Sequence, residues 1–294
     1  GVATSIGHSP VSGLIDPEAG SRNSIGEALS NMVWAPLKDG LHSVSLSANW
    51  MWPCKNEGED ARLYDAVEEV SDFACALGIN IPTGKDSLSM VQKYKDEKVY
   101  APGTVIISAS GEIADVKKIV TPDLKKVGGS SIVYVDFSGD EFHLGGSSLA
   151  QVLNKLGSDV PGITSTENFI AAFNTLQTLI EEGKVLAGHD ISSGGLATSL
   201  LEMTFPLNWG GLNIDLSGLG TAGKVEKLFS EKSAVVLQVE NAEETIKSFQ
   251  NVGVNAVKVA DVVLERNISI DGEELSINEL RDTWYKTSYL LDQK

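Results

Sequence analysis

The 294-residue chain reads as a two-domain protein of mixed α+β and α/β class. Three observations give this expectation. The length exceeds what one small core needs and fits two domains of ordinary size. Amphipathic helical runs alternate with short apolar strand runs along the chain. Between residues 121 and 130, "TPDLKKVGGS" sets a proline, charges and paired glycines between periodic segments, so one domain is predicted over 1–125 and a second over 126–294.

The elements follow in order. In "SRNSIGEALSNMVWA" (21–35), Ser24 precedes Glu27 by three residues and Leu29, Met32 and Val33 keep a helical rhythm, which predicts a capping box opening a helix. "LHSVSLSANWMW" (41–52) predicts a strand that runs into a structured aromatic loop. From Glu59 to Leu77, the apolar residues Leu63, Val67, Val70, Phe73, Ala74 and Leu77 recur three and four apart among acids, which predicts an amphipathic helix ended by Gly78. "TGKDSLSMVQKY" (83–94) alternates as a strand does, and "GTVIISASGEI" (103–113) is a more apolar one. After the break, "SIVYVDFS" (131–138) predicts a strand, and "FHLGGSSLAQVL" (142–153) a strand end, two glycines, two hydroxyls and a helix. A helix is expected over 165–183, where Phe169, Ala172, Phe173, Leu176 and Leu179 share a face. "SAVVLQVE" (233–240) predicts a strand, residues 242–250 a short acidic helix, and "AVKVADVVLE" and "NISIDGEELS" a strand pair.

Composition narrows the function. Asp plus Glu number 40 against 23 Lys plus Arg, and the net charge of −17 argues against a basic nucleic-acid groove or a polybasic membrane surface. A protein this acidic that handles acidic metabolites is expected to need a divalent cation. Cys54 and Cys75 have no CxxC spacing, which suits a reducing compartment. No stretch has transmembrane length or a secretion-signal pattern, so a soluble cytoplasmic protein is expected. The opening "GVATSIGHSP", without an initiator Met, suggests a processed product or a segment of a longer chain.

Several stretches carry candidate chemistry. Glu27 and Asn31 lie four apart on one helical face, and their hard oxygens suit Mg²⁺; alternatively, Glu27 closes the capping box and Asn31 faces water. In "GHDISSGGLATSLLEM" (188–203), Asp190 and Ser192 precede Gly194, Gly195 and an apolar helix. That stretch is either a helix cap or an anion cradle, with Asp190 free to join Glu27 and Asn31 on a metal. Gly145, Gly146 and Ser147 repeat the design, which does not match a P-loop. His143 either donates to a phosphate or sits in the domain face. Lys85, Ser87 and Ser89 alternate onto one face, either facing ligand or facing solvent. Trp50 and Trp52 read as packing anchors or stacking platforms, and Cys54 lacks a general-base partner nearby.

Taken in order, "GHSPVSGLIDPEAGSRNSIGEALSNMVWA", "SANWMWP", "GEDARLYDA", "IPTGKDSLSM", "FHLGGSSLAQ" and "HDISSGGLATSLLEM" resemble the second half of the synthetase part of the phosphoribosylformylglycinamidine synthase family. The resemblance implies the aminoimidazole ribonucleotide synthetase-like architecture, an N-terminal sheet domain truncated at its start and a C-terminal α/β domain. It implies a part in converting formylglycinamide ribonucleotide, ATP and glutamine to formylglycinamidine ribonucleotide, ADP, phosphate and glutamate. Cofactors would be Mg²⁺ with ATP or ADP. By motif, Glu27, Asn31 and Asp190 resemble metal ligands, with a further Asp expected upstream. Lys85 and Ser87 resemble a ligand-facing strand, and Gly145, Gly146, Ser147, Ser192, Gly194 and Gly195 resemble phosphate-facing loops. No glutaminase signature and no first synthetase half is present, so the implied partners are that half and a glutaminase domain or subunit, and the chain alone is expected to be inactive. An uncovered edge would favour a homodimer of the segment. The resemblance also allows a half that binds a structural ADP–Mg and scaffolds the catalytic half. A small-molecule kinase or an aminoimidazole ribonucleotide synthetase relative fits "SANWMWP" and the motif order less well.

Overall fold

The computed structural model describes residues 1–293. The chain opens with β1 (Val2–His8), α1 (Pro10–Ile15) and α2 (Pro17–Met32), followed by β2 (Val44–Met51), α3 (Glu59–Leu77) and β3 (Asn80–Ser87). Next come β4 (Val91–Tyr94) and β5 (Glu97–Tyr100), which form a separate hairpin, and then β6 (Thr104–Glu112). Strands β1, β6, β2 and β3 lie in that order in one sheet. Its only parallel pair is β2 with β3, joined by the α3 crossover.

Helix α2 corrects the first expectation. It starts eight residues before Ser24, at Asp16, whose carboxylate accepts from the Glu18 and Ala19 N–H groups while Pro17 takes the first helical position. Ser24 is therefore mid-helix and buried, its hydroxyl donating to the Gly20 carbonyl (2.9 Å). There is no capping box, so Glu27 is released from that role. Helix α3 runs as read, with Gly78 at φ +71° closing it by donating to Ala74 and Cys75 carbonyls. The expected strand over 83–94 breaks instead into β3 and β4, because the chain bends round buried Trp52: the Trp52 N–H donates to Ser87 O and the Met90 N–H to Trp52 O. Ser89 consequently lies outside any strand.

The rest of the chain supplies β7 (Ser131–Asp136), α4 (Ser148–Val152), α5 (Thr166–Glu181), β8 (Ala187–Asp190) and α6 (Gly195–Glu202). It continues with β9 (Gly211–Ile214), α7 (Lys224–Phe229), β10 (Ala234–Val239), α8 (Ala242–Gln250), β11 (Ala256–Val263), β12 (Asn267–Ile270), β13 (Glu273–Ser276) and α9 (Ile277–Asp292). Seven of its strands form a sheet ordered β13, β12, β9, β11, β7, β10, β8. Residues 142–144 are not a strand, contrary to expectation, and β12 pairs with β13 and β9 instead of β11. Both faces of the central strands are covered. On β7, Val133 and Val135 enter one core with Phe137 just beyond, while Ile132 and Tyr134 enter another, as a period of two requires. The near-continuous apolar run that predicted the strand reflects this double burial.

The first of these cores crosses between the two sheets. Ile25, Leu29, Phe73 and Ile107 pack in one cluster with Val133, Phe137, Phe169 and Phe173. Phe169 meets Phe73 and Phe137 edge-on at centroid distances of 5.9 and 5.5 Å. Buried Gln177 of α5 then ties down the segment leaving α2, accepting from the Leu37 N–H (2.7 Å) and donating to Val33 O and Ala35 O. The last turns of α2 are thus fixed against the second sheet. No helix among the described residues is long and apolar enough to cross a membrane.

Candidate functional site

The contact between α2 and β8 brings together residues far apart in sequence. Gly188 makes it possible: a Cβ there would lie 2.0 Å from the Trp34 ring, so only glycine lets the strand pass beneath that side chain. At the end of β8, Asp190 is buried, and the loop after it turns Ser192 back to donate to Glu27 Oε1 (2.7 Å). Asn31 Nδ2 donates to Glu27 O (3.0 Å), Ile6 O (3.3 Å) and Glu27 Oε1 (3.4 Å), which leaves Asn31 Oδ1 without a partner among the described residues.

The electrostatics are unbalanced. Burial, then repulsion from Asp190, push the Glu27 carboxyl up to about 7; hydrogen bonds from Ser192 and Asn31 oppose this, and Glu231 adds the smallest repulsion. Asp190 is also raised, chiefly by burial, although His189 works the other way. His189 is itself partnered: its Nδ1 reaches Asp190 O at 2.6 Å and its Nε2 lies 3.3 Å from Glu202 Oε2. Burial opposes its charge, but Glu202 and Asp190 outweigh that and raise its pKa. No Lys or Arg pairs with Glu27 among the described residues.

A cleft of about 110 Å³ opens beside these groups, lined by His8, Ser9 and Ser12 from the first part of the chain and by Ser192, Glu231 and Ser233 from the second, with Glu27 between them. It has room for a hydrated ion or a phosphate group. The Ser233 hydroxyl oxygen in its wall is buried without a hydrogen-bond partner. Of the three predicted metal ligands only half-buried Glu27 lines the cleft; buried Asp190, next to Ile191 of its wall, and exposed Asn31, hydrogen-bonded to Glu27, do not. Together with the orphaned hydroxyl, the three offer the hard oxygens that a divalent cation with water or phosphate ligands takes. No cluster of three or more His, Cys, Asp or Glu side chains among the described residues holds a metal by itself, so the protein's own donor set is partial.

The other predicted residues lie elsewhere. Lys85 and Ser87 are on β3, the edge strand farthest from β1 in its sheet, where Lys85 Nζ donates to Ser87 Oγ (2.6 Å) and Asp86 O (2.9 Å); neither lines the cleft. Gly145 and Gly146 are buried, and their N–H groups donate to Asp159 O (2.9 Å) and Leu156 O (2.8 Å), so these two do not present free donors to an anion. Ser147 caps α4 by accepting from the Ala150 N–H. His143 stands near Asp140 (3.8 Å) beside a second depression of about 440 Å³. Gly194 and Gly195 do occupy left-handed conformations (φ +88° and +68°) at the start of α6.

Sequence reasoning missed Glu231. Its Oε1 accepts from both the Ser148 N–H and the Gly194 N–H, each at 2.7 Å, and so joins the two glycine-rich stretches. Those contacts span 83 and 37 residues, and no spacing motif marks a glutamate in the loop before a strand.

Known proteins place this geometry. A family model described as the FGAR-AT PurM_N-like domain matches residues 1–112, and one described as the AIR synthase related protein, C-terminal domain, matches residues 129–272. The probable phosphoribosylformylglycinamidine synthase of Arabidopsis thaliana is 40% identical over 303 residues, covering 100% of this chain and 21% of the relative. The Homo sapiens phosphoribosylformylglycinamidine synthase is 37% identical over 304 residues, covering 100% of this chain and 22% of the relative. The chain therefore spans about a fifth of the length of these curated relatives. Among solved structures, Thermotoga maritima PurL complexed with FGAR superposes with a TM-score of 0.71 at 16% identity, over 95% of this chain and 46% of that one. The E. coli hydrogenase maturation protein HypE superposes with a TM-score of 0.62 at 20% identity, over 94% and 84%. At such identities the superpositions speak for the fold alone, and it is the mixed α/β architecture of two sheet-and-helix regions that they share. With the two models together matching most of its length, the chain belongs to the AIR-synthetase-like superfamily that includes the synthetase region of phosphoribosylformylglycinamidine synthases.

Proposed function

We propose that this chain is half of the synthetase region of an ATP- and glutamine-dependent ligase that converts formylglycinamide ribonucleotide to formylglycinamidine ribonucleotide, and that its cleft holds Mg²⁺ with ADP or ATP. On this reading it divides near residue 125 and works with a second synthetase half and a glutaminase domain or subunit. One observation carries the nucleotide site: half-buried Glu27 and buried Asp190, from different sheets' layers, are brought together with no Lys or Arg among the described residues pairing with either and only the His189 imidazole beside Asp190 (3.6 Å). Glu27, Asp190 and Asn31 Oδ1 would hold the metal, and Ser192 and the α6 start would lie beside the phosphates. When bound, Mg²⁺ would supply positive charge to phosphate oxygens in a cleft that otherwise repels them. PurL of T. maritima has been solved with ATP, ADP and AMPPCP, which agrees with nucleotide binding by this fold.

Lys85 and Ser87 on the exposed edge strand would face the second half, and Gly145, Gly146 and Ser147 would shape the α4 loop without contacting phosphate through their own N–H groups. A second reading keeps the same residues for a noncatalytic half that binds a structural ADP–Mg and scaffolds the catalytic half.

Calorimetric titration of ADP with and without Mg²⁺ tests the site. Binding is expected only with Mg²⁺, and Asp190→Ala is expected to weaken it at least about tenfold, the effect of losing one charged ligand. Equal binding by the folded variant, or binding indifferent to Mg²⁺, would refute the proposal.

A further inference from the structure

The position a phosphate would take between the two glycine-rich loops already contains an anion, supplied by the chain. Glu231 Oε1 stands 2.7 Å from both the Ser148 N–H and the Gly194 N–H. Converging backbone N–H groups near a helix start favour a carboxylate for the same reasons that they favour a phosphate. Glu231 also lines the cleft beside Ser192 and Ser233, whose hydroxyl oxygen is buried and unpaired. Its placement is enforced from the next residue: Lys232 points the other way and is held by Asp136 Oδ2 (2.9 Å), the Asp140 carbonyl and the face of Phe142.

We propose that Glu231 is an internal stand-in for the ligand's phosphate. It clasps the α4 and α6 loops in the ligand-free protein and must leave before a phosphate group can take the Ser148 and Gly194 donors. Two N–H groups engaged at 2.7 Å by one carboxylate oxygen cannot also serve a second anion, and two anions held together there without a cation repel strongly. Glu231 thereby sets how much affinity for phosphate the site expresses, and it keeps the loops paired when no ligand is present. This inference deepens the nucleotide-site reading and rests on it.

The distinguishing feature is the sign of a mutational effect. A purely structural tie would lose ligand affinity when weakened, whereas a competing anion gives a gain. Glu231→Gln keeps a carbonyl acceptor for both N–H groups and removes the charge. With inorganic phosphate as probe, in Mg²⁺ buffer and on the full chain, this variant is expected to bind at least about tenfold more tightly than wild type, the scale of one charge-assisted hydrogen bond. In wild type, phosphate is expected to shift the amide NMR resonances of Ser148 and Gly194 together, a readout that needs no variant. Phosphate binding that moves neither amide, Glu231→Gln binding no tighter than wild type, or no phosphate binding by either protein would overturn the inference. A parallel Mg²⁺–ADP titration of wild type separates the two claims. If ADP binds and these phosphate results fail, the stand-in role falls and the nucleotide site survives; if the phosphate results hold without ADP binding, Glu231 competes with a phosphate at these loops but that phosphate does not belong to ADP, and the nucleotide reading falls.

Discussion

Two carboxylate centres, one buried and one half-buried, show how differently one chain treats negative charge. At Asp136, Lys232 Nζ sits 2.9 Å from Oδ2, and Oδ1 accepts from Ser138 N, Ser138 Oγ and Gly139 N, so the carboxylate is paired and its lone pairs are engaged. At Glu27, by contrast, burial and the neighbouring acids Asp190 and Glu231 are opposed only by a hydroxyl and an amide. Pairing of the first kind fixes a loop. Charge left unpaired by the fold at the second is the mark of a group whose partner comes from outside. The contrast is sharper because Glu231 and Lys232 are adjacent: one belongs to each centre.

The largest expected effect lies at the paired centre. Lys232→Met leaves Asp136 buried without its cation and should cost about 3–5 kcal/mol in urea unfolding. A loss under about 1 kcal/mol, the scale of an exposed pair, would erase the distinction between the centres. Next comes Glu27→Gln, with the opposite sign. A carboxyl raised from 4.5 to about 7 on folding binds more protons in the folded state across that window, so its stabilising contribution is complete below 4.5 and is lost as pH rises through 7. At about 1.4 kcal/mol per pH unit, the variant should exceed the metal-free wild type by roughly 3 kcal/mol above neutrality and match it in acid. Stability curves that run parallel across this range would show Glu27 to be an ordinary surface acid. The smallest effect is at Ser192. Removing its hydroxyl with Ser192→Ala should raise the Glu27 carboxyl further, seen in its ¹³C titration, and cost about 1 kcal/mol where Glu27 is ionised. An unmoved titration would mean that the α6 loop does not support the acid.

The sequence was legible where one local signal acted alone. The spacing from Glu59 to Leu77 and the glycine after it gave α3 to its ends, and double burial made β7 and β10 unmistakable. It misled where signals competed. Ser24 and Glu27 imitate a capping box, yet Asp16 and Pro17 are the stronger start, and the small residues Gly20, Ser21 and Ser24 that look polar are there for close packing. The break between β3 and β4 depends on Trp52, more than thirty residues upstream, which no local window contains. Strand β1 and helix α9 went unread; their residues are largely exposed, so burial left a weak pattern. At the site, Glu27 and Asn31 suggested hard-oxygen chemistry by themselves, but only the resemblance gave them a reason to meet Asp190. Glu231 had no signal at all, since its role comes from two backbone N–H groups that any residue could provide.

The most direct test of the account is the proton count of Mg²⁺–ADP binding near pH 7, obtained by calorimetry in buffers of different ionisation enthalpy. If the cation takes the place of the proton on Glu27, wild type releases a fraction of a proton that grows as pH falls from about 7, and Glu27→Gln releases less. Mg²⁺–ADP bound with the same proton count by wild type and Glu27→Gln would show that the unbalanced carboxylate is not where the metal goes, and the central claim would fail.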